Sequence, residues 1–301
     1  MHDDQLTVSR DGVRDLVRDQ FPQWRGLPVR TVASDGTMNA VFRIGPDLAA
    51  RFPLRHQDPV EVLTGLKREA EAARELAACS SVPTPVPVAL GAPGSGYPLP
   101  WAVQTWLPGR AAARAGPDDS MAFAADLARF ITGLRTADTR GRRFSGLGRG
   151  GHLPDHDAWM ETCFRRSEHL LDVPALRRLW RELRRLPHGG PDVMSHGDLV
   201  PGNVLVRGGR LVGVVDGGGF GPADPSLDLV CAWHLLERAP REVLARELGS
   251  GDLEWARGMA WSFEQAMGLV WYYAESNPTL SRLGRRTLDR LLATNASIAP
   301  A

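Results

Sequence analysis

The spacing of apolar positions changes several times along the first third of the chain. Val8, Val13, Leu16 and Val17 share one face of a helix over residues 8–20, with Ser9 where an N-cap would stand. The period then falls to that of strands. Residues 29–33 and 40–44 flank a turn-rich stretch, and residues 48–52 follow the Gly45-Pro46-Asp47 turn, which predicts a hairpin running into a third strand. Helical spacing returns over 58–78 through Val62, Leu66, Ala70, Ala73 and Ala77, and Pro83, Pro85 and Pro87 end it. Residues 86–90 and 101–106 read as two further strands.

After Leu107-Pro108-Gly109 the pattern becomes mostly helical, over residues 120–137, 155–186, 223–248, 252–275 and 279–293. One compact segment, 193–216, interrupts it. Its apolar stretches 204–206 and 211–215 are joined by Arg207-Gly208-Gly209-Arg210, the signature of a hairpin. The expected organisation is α+β: a β-rich part over residues 1–106 with one long helix, and a mostly helical part over 107–301. Loops held by a scaffold carry function, so the embedded segment is the place to look for chemistry.

Composition narrows the classes. The 301 residues carry 36 basic and 35 acidic side chains, a net charge of +1, and 43% are apolar. That length can bury one large domain or two lobes. The even charge balance gives no basis for non-specific nucleic-acid binding. No apolar run approaches the roughly 18–20 residues that span a bilayer. The start, MHDDQLTVSR, lacks a basic-then-apolar leader pattern. A cytoplasmic protein with no nucleic-acid or membrane partner is expected. Cys79, Cys163 and Cys231 are odd in number and widely spaced, as buried thiols are and disulfide frameworks are not. Lys67 is the only lysine, which excludes any mechanism that needs one elsewhere.

In the segment SHGDLVPGNVLVRGGRLVGVVDGGGFGPADPSLDL, Asn203 follows Asp198 by five positions. Asp216 comes after the strand pair, at the end of an apolar run, with Asp224 and Asp228 beyond it. A hairpin folds its two ends together. A carboxylate at one strand end and an amide at the start of the paired strand can chelate one hard cation, and Mg²⁺ favours such sparse oxygen ligation completed by substrate phosphates. Asp198, on the preceding loop, then stands near a bound phosphate and can accept a hydroxyl proton.

His196-Gly197-Asp198 with Asn203 resembles the HGDxxxxN motif of the aminoglycoside phosphotransferase family, and Asp216 with Asp224-Pro225 and Asp228-Leu229 resembles its second motif. The resemblance extends over residues 30–290 and implies a two-lobed protein-kinase-like fold. By that resemblance Asp198 is the catalytic base or hydroxyl-orienting group. Asn203 and Asp216 hold Mg²⁺, while His196 and Asp228 support the loops. ATP or GTP is the implied phosphoryl donor. Residues 36–44 resemble the phosphate-loop hairpin, where Thr37, Met38 and Asn39 could offer donors, and Arg68-Glu69-Ala70 resembles the helix that bears the ion-pair glutamate. The hinge would meet the purine near Thr105 and Leu107, with Gln104 just before.

This chain departs from the kinase pattern where a strand lysine bridges phosphates and a helix glutamate. The matching position is Arg51, whose fork suits phosphate and carboxylate alike. An Arg51–Glu69 pair is expected, with Glu71 the competing partner. Asp216 is followed by Gly217 where the family often carries an aromatic, which predicts a mobile start to that loop. For the acceptor, Asp157, Glu161, Glu237, Glu264 and Glu275 are acidic candidates. Trp159, Trp233, Trp261, Trp271, Tyr272 and Tyr273 are aromatic ones, more often core than ligand box.

The expected activity is transfer of the γ-phosphoryl of ATP or GTP to a hydroxyl of an antibiotic, aminoglycoside-type first, with a macrolide or nucleoside antibiotic as variants, by a monomer or dimer. The alternatives are a metabolite kinase acting on a sugar or amino-alcohol, and a pseudokinase that binds nucleotide as an interaction module. A protein kinase is disfavoured, because the chain lacks HRD, DFG and APE sequences.

Overall fold

Ser9 caps the first helix, its Oγ accepting from the Gly12 N–H at 3.0 Å. The structure, a computed structural model, describes residues 6–32, 38–146 and 148–296, with Asn295 and Ala296 described by backbone alone. Helix α1 (Arg10–Gln20) buries Val13, Leu16 and Val17. Strands β1 (Val29–Val32), β2 (Asn39–Ile44) and β3 (Leu48–Pro53) follow, then the long helix α2 (Pro59–Cys79), β4 (Pro87–Gly91) and β5 (Trp101–Thr105). The five strands form an antiparallel sheet in the order β1-β2-β3-β5-β4. Arg51 sits on its central strand, opposite Val41 on one side and Ala102 on the other.

The alternation of β3 explains its register. Ala50 and Phe52 face the core and Arg51 faces away, because side chains on a strand alternate sides. Phe52 stacks on Trp101 at 4.8 Å and meets Phe42 and Tyr97 edge-on at 5.7 and 5.1 Å, packings that aromatic quadrupoles favour. Val13 and Leu16 of α1 and Val62 and Leu66 of α2 belong to the same core.

Internal contacts group the chain into two units. The first runs to Ala78 and takes in Pro83–Pro108 and Gly213–Gly218. The second holds Cys79–Val82, Gly109–Val212 and the rest from Gly219. Asp216 therefore belongs with Arg51 and Glu69, although it follows them by a long stretch of sequence.

The second unit contains β6 (Arg110–Ala111), α3 (Ala112–Ala115), α4 (Met121–Arg135), α5 (Asp157–Ser167), α6 (Val173–Leu183), β7 (Val193–Ser195), β8 (Val204–Arg207), β9 (Arg210–Val214, whose last two residues belong to the first unit), β10 (Gly221–Ala223), α7 (Val230–Leu235), α8 (Arg238–Leu248), α9 (Asp252–Tyr272) and α10 (Pro278–Ala296). Strands β6-β8-β9 form one small sheet and β10-β7 another. Asp126 of α4 receives both Arg210 nitrogens, at 2.6 and 2.7 Å, and the Leu211 N–H at 3.2 Å, so the hairpin turn is tied to a buried helix.

Two long helical patterns are broken. Residues 155–186 form α5 and α6, because Asp172 accepts the Ala175 N–H at 3.2 Å and Pro174 sits in the first turn, where its missing N–H costs nothing. Residues 223–248 open on β10 and a 3-10 turn at Leu227–Leu229. They then divide into α7 and α8, with Leu236 extended between them. The two- and three-residue strands β6 and β10 are too short to show a period in sequence. Among the described residues no helix is long and apolar enough to cross a membrane.

Candidate active site

The catalytic-loop candidates are positioned by a buried carboxylate. Asp228 accepts from the His196 N–H at 3.0 Å and the Gly197 N–H at 2.9 Å, one bond to each oxygen. Its side chain is almost fully buried, so the two bonds act in a low-dielectric setting. Ser195 Oγ adds a bond from Gly197 N–H at 3.1 Å. His196 is buried too, and its Nδ1 accepts from the Asp198 N–H at 3.3 Å. These contacts fix the backbone on both sides of Asp198.

Asn203 closes the loop. Its Nδ2 donates to the Asp198 carbonyl at 3.0 Å and to Asp198 Oδ2 at 3.1 Å, while turns link Val200 to Asp198 and Asn203 to Val200. Both side-chain bonds use the amide nitrogen, so the amide oxygen is left for another partner. The other carboxylate oxygen of Asp198, Oδ1, is ion-paired with Arg149. No reading of the sequence identified Arg149. The only available signal was the glycine-rich run around it.

In the first unit, Arg51 brings together two of the expected groups. Its Nη2 lies 2.8 Å from Asp216 Oδ1 and its Nη1 lies 3.7 Å from Glu69 Oε2. Asp216 has φ +64, a conformation that Asp tolerates better than most residues. The expected looseness at Gly217 is corrected by the packing. A Cβ on Gly217 would stand 2.2 Å from Leu76 Cδ2, and one on Gly218 would stand 2.9 Å from Glu69 Cγ. The glycines let α2 approach the chain closely, which is how Glu69 reaches the Arg51–Asp216 pair.

The hinge candidates need one correction. The Thr105 N–H donates to the Val86 carbonyl at 2.9 Å and Thr105 Oγ1 accepts from Val86 N–H at 2.9 Å. The Thr105 donor is thus committed to the sheet and is not offered to a purine. Gln104 sits beside it, opposite Ala49 and half-buried, and Leu107 is half-buried. Asn39 opens β2 opposite Pro53. Thr37 lies outside the described residues.

The acceptor candidates are all in the second unit. Asp157 accepts from Trp180 Nε1 at 3.0 Å and Arg184 Nε at 2.7 Å. Burial pushes its carboxyl up, but Arg184 and Trp180 outweigh that and hold it below the usual range. Glu161 is paired with Arg177, whose hydrogen bond holds it low. Glu237 meets Arg290 at 2.5 Å and Arg286 at 2.6 Å, and Arg290 above all pulls it down to about 2. Glu264 faces His156 Nδ1 at 3.3 Å and raises the pKa of that imidazole. Every one of these four carboxylates has a basic partner.

Trp233 is corrected from acceptor contact to core. It is fully buried and packs on Trp255 at 4.8 Å. Trp271 is half-buried, 5.9 Å from the exposed Trp159 and beside the exposed Tyr272 at 5.6 Å. Among the described residues no three His, Cys, Asp or Glu side chains cluster as a metal cage.

Comparison with known proteins adds the following. The family model described as APH, phosphotransferase enzyme family, matches residues 29–261. An aminoglycoside 3'-phosphotransferase of Escherichia coli is 35% identical over 79 residues, 25% of this chain and 29% of that protein. One from Salmonella typhimurium is 36% identical over 62 residues, 20% of this chain and 23% of that protein. The chain thus spans under a third of the length of the curated relatives it matches. Among solved structures, the GDP and kanamycin complex of APH(2")-IIia has a TM-score of 0.72 at 19% identity, covering 94% of this chain and 99% of that one. The macrolide 2'-phosphotransferase MphH from Brachybacterium faecium has a TM-score of 0.61 at 21% identity, covering 92% and 98%. At these identities the likeness shows the fold, the kinase-like α+β architecture.

Proposed function

The chain belongs to the APH phosphotransferase enzyme family, and on that premise we propose that it moves the γ-phosphoryl group of ATP or GTP to a hydroxyl of a small-molecule antibiotic. The observation that carries this reading is the Asp198–Asn203 pair, held on a backbone clamped by Asp228. That arrangement gives a carboxylate whose position does not depend on substrate, as direct phosphoryl transfer requires.

The roles follow from the chemistry of each group. Asp198 accepts the proton of the acceptor hydroxyl as its oxygen attacks the γ-phosphorus, and the nucleoside diphosphate leaves in line. Arg51 offers its fork to the phosphates of the donor, with Glu69 fixing its orientation. His196 is buried behind the loop and buttresses it. By the resemblance of their motifs to the family's, Asn203 and Asp216 would be the metal ligands. Their oxygen donors fit Mg²⁺, since the Asn203 hydrogen bonds use only its nitrogen and Asp216 is a half-exposed carboxylate. When bound, Mg²⁺ neutralises charge on the phosphate oxygens.

Polycationic aminoglycosides are the first acceptor class, as the sequence motifs suggest. One observation favours a second. The carboxylates Asp157, Glu161, Glu237 and Glu264 are already matched by Arg184, Arg177, Arg286, Arg290 and His156, so a polycation must compete for them. An acceptor of low charge with an apolar face, such as a macrolide, would instead use the aromatic surface of Trp159, Trp271 and Tyr272.

The test is a panel of aminoglycosides, macrolides, nucleoside antibiotics and simple sugars. Each is incubated with the protein, Mg²⁺ and either ATP or GTP, and read by mass shift. Addition of one phosphate to an antibiotic supports the reading. Modification of sugars alone favours a metabolite kinase. Nucleotide binding with no turnover on any acceptor favours a pseudokinase.

A further inference from the structure

Both carboxylate oxygens of Asp198 are occupied. Oδ2 accepts from Asn203 at 3.1 Å, and Oδ1 is held by the Arg149 guanidinium. A hydroxyl that is to pass its proton to Asp198 needs one of them. Asn203 is fixed inside the same loop, through its second bond to the Asp198 carbonyl. Arg149 arrives from a separate segment, Gly148-Arg149-Gly150-Gly151, which lies between α4 and α5.

That segment has a backbone only glycine adopts readily on both sides of Arg149. Gly148 and Gly150, on either side of Arg149, have φ +83 and +120. At Gly150 a side chain would be strained by that φ, and its Cβ would stand 3.2 Å from Phe144 Cε2, close enough that the ring would have to give. His156 Nε2 meets the Gly150 carbonyl at 3.1 Å, which ties the backbone beside Arg149 to the turn before α5. The Arg149 side chain is 45% exposed and that of Asp198 29%. Oδ1 itself is shut off from water, and with a guanidinium this exposed the pair adds little to folding, so its effect is local.

We propose that Arg149 is a positioning residue that occupies the acceptor-hydroxyl place on Asp198 until an acceptor displaces it, and so keeps water out of the reaction. The proposal rests on the phosphotransferase reading above. A guanidinium has five donors and no acceptor, so it cannot relay a proton to Asp198. Without it, water could bind Oδ1, give up a proton to Asp198 and attack the γ-phosphorus. The bond from that phosphorus to the bridging oxygen would break, releasing nucleoside diphosphate and inorganic phosphate. When an acceptor is bound, its hydroxyl takes the place of Arg149, its O–H proton goes to Asp198, and the new O–P bond forms as the diphosphate leaves.

The experiment needs no identified acceptor. Phosphate release from ATP and from GTP with Mg²⁺ is measured without acceptor for the full chain and for Arg149→Ala, Arg149→Lys and Asp198→Asn. Arg149→Ala should release phosphate about fivefold faster, the factor an ion pair of this exposure can hold closed. Arg149→Lys should restore suppression, and Asp198→Asn should abolish release. A merely structural role would lower the rate and could not raise it. Release by Arg149→Ala at or below the wild-type rate, with Asp198→Asn inactive, overturns the gate and leaves the phosphotransferase reading standing. Undiminished transfer or hydrolysis by Asp198→Asn overturns that reading and the gate with it.

Discussion

A guanidinium between two carboxylates is a different device from an ammonium in the same place. Arg51 reaches Asp216 and Glu69 with separate nitrogens, so it can hold one while releasing the other to a phosphate. Both partners are more than a third exposed, so the pairs contribute little to folding. Arg51→Ala should therefore raise the nucleotide KM by about tenfold or more, the effect of losing a charge-assisted contact, and shift Tm by only a few degrees. Steady-state kinetics with ATP and GTP check this, and unchanged KM and kcat would remove Arg51 from the donor site. Arg51, Asp198, Asn203 and Asp216 were legible as candidates because each falls at a fixed offset within a motif or on a strand of clear period, while Glu69 competed with Glu71 for the contact to Arg51 that the structure gives it. The sequence did not reveal Arg149, whose partner lies in another segment and whose glycine-rich setting carries no period.

At the scale of elements, a buried ion pair joins pieces that look unrelated in sequence. Arg257 of α9 donates through Nε to Asp224 at 2.7 Å and through Nη1 to the Leu186 and Pro187 carbonyls at 3.2 and 2.7 Å. Both side chains are 2% exposed. Burial pushes Asp224 up, but Ser226 and Arg257 outweigh it and hold the carboxyl below its ordinary range. Arg257→Ala leaves that carboxylate buried without its cation and should cost about 3–5 kcal/mol. A lowered urea midpoint is the expected result, and an unchanged midpoint would show that water replaces the arginine. Asp224 was visible in sequence as part of a motif, but its partner was not, since helix periodicity marks Arg257 only as a charge among apolar neighbours. The breaks near Asp172 and Leu236 were marked in sequence only by Pro174 and Pro240, because apolar spacing continues across them.

Across the whole molecule, charge matching shapes both stability and the acceptor question. His234 is buried, with Nδ1 3.0 Å from Thr287 Oγ1. Burial first, then Arg149 and Arg290, push its pKa down to about 3. The unfolded chain takes up this proton near 6.5, so between those values the unfolded state holds more protons and stability falls as pH drops. The slope approaches on the order of 1.4 kcal/mol per pH unit. Glu237, held down to about 2, loses its contribution only below the ordinary carboxylate value of 4.5. The interval from pH 6.5 down to 5 therefore separates His234 from Glu237. His156 acts on the other side: its pKa is raised, so its contribution is complete below 6.5 and is lost as pH rises through the folded value. Tm recorded from pH 7 to 5 should fall, and His234→Gln should flatten the curve. A flat wild-type curve would mean that His234 titrates normally. The α+β division and the order of strands could be read from apolar spacing. The pairing of Asp157, Glu161, Glu237 and Glu264 with basic partners could not, because the partners come from other helices or other turns.

If Asp198 drives phosphoryl transfer to an antibiotic hydroxyl, the most direct measurement compares the wild type with Asp198→Asn on the antibiotic panel. Product mass and initial rate are followed in both proteins once circular dichroism shows both folded. The wild type should add one phosphate to at least one antibiotic, and Asp198→Asn should be slower by roughly 10²–10⁴-fold, the usual contribution of a positioned base. A wild type that phosphorylates no antibiotic, or an Asp198→Asn variant as fast as the wild type, would contradict it.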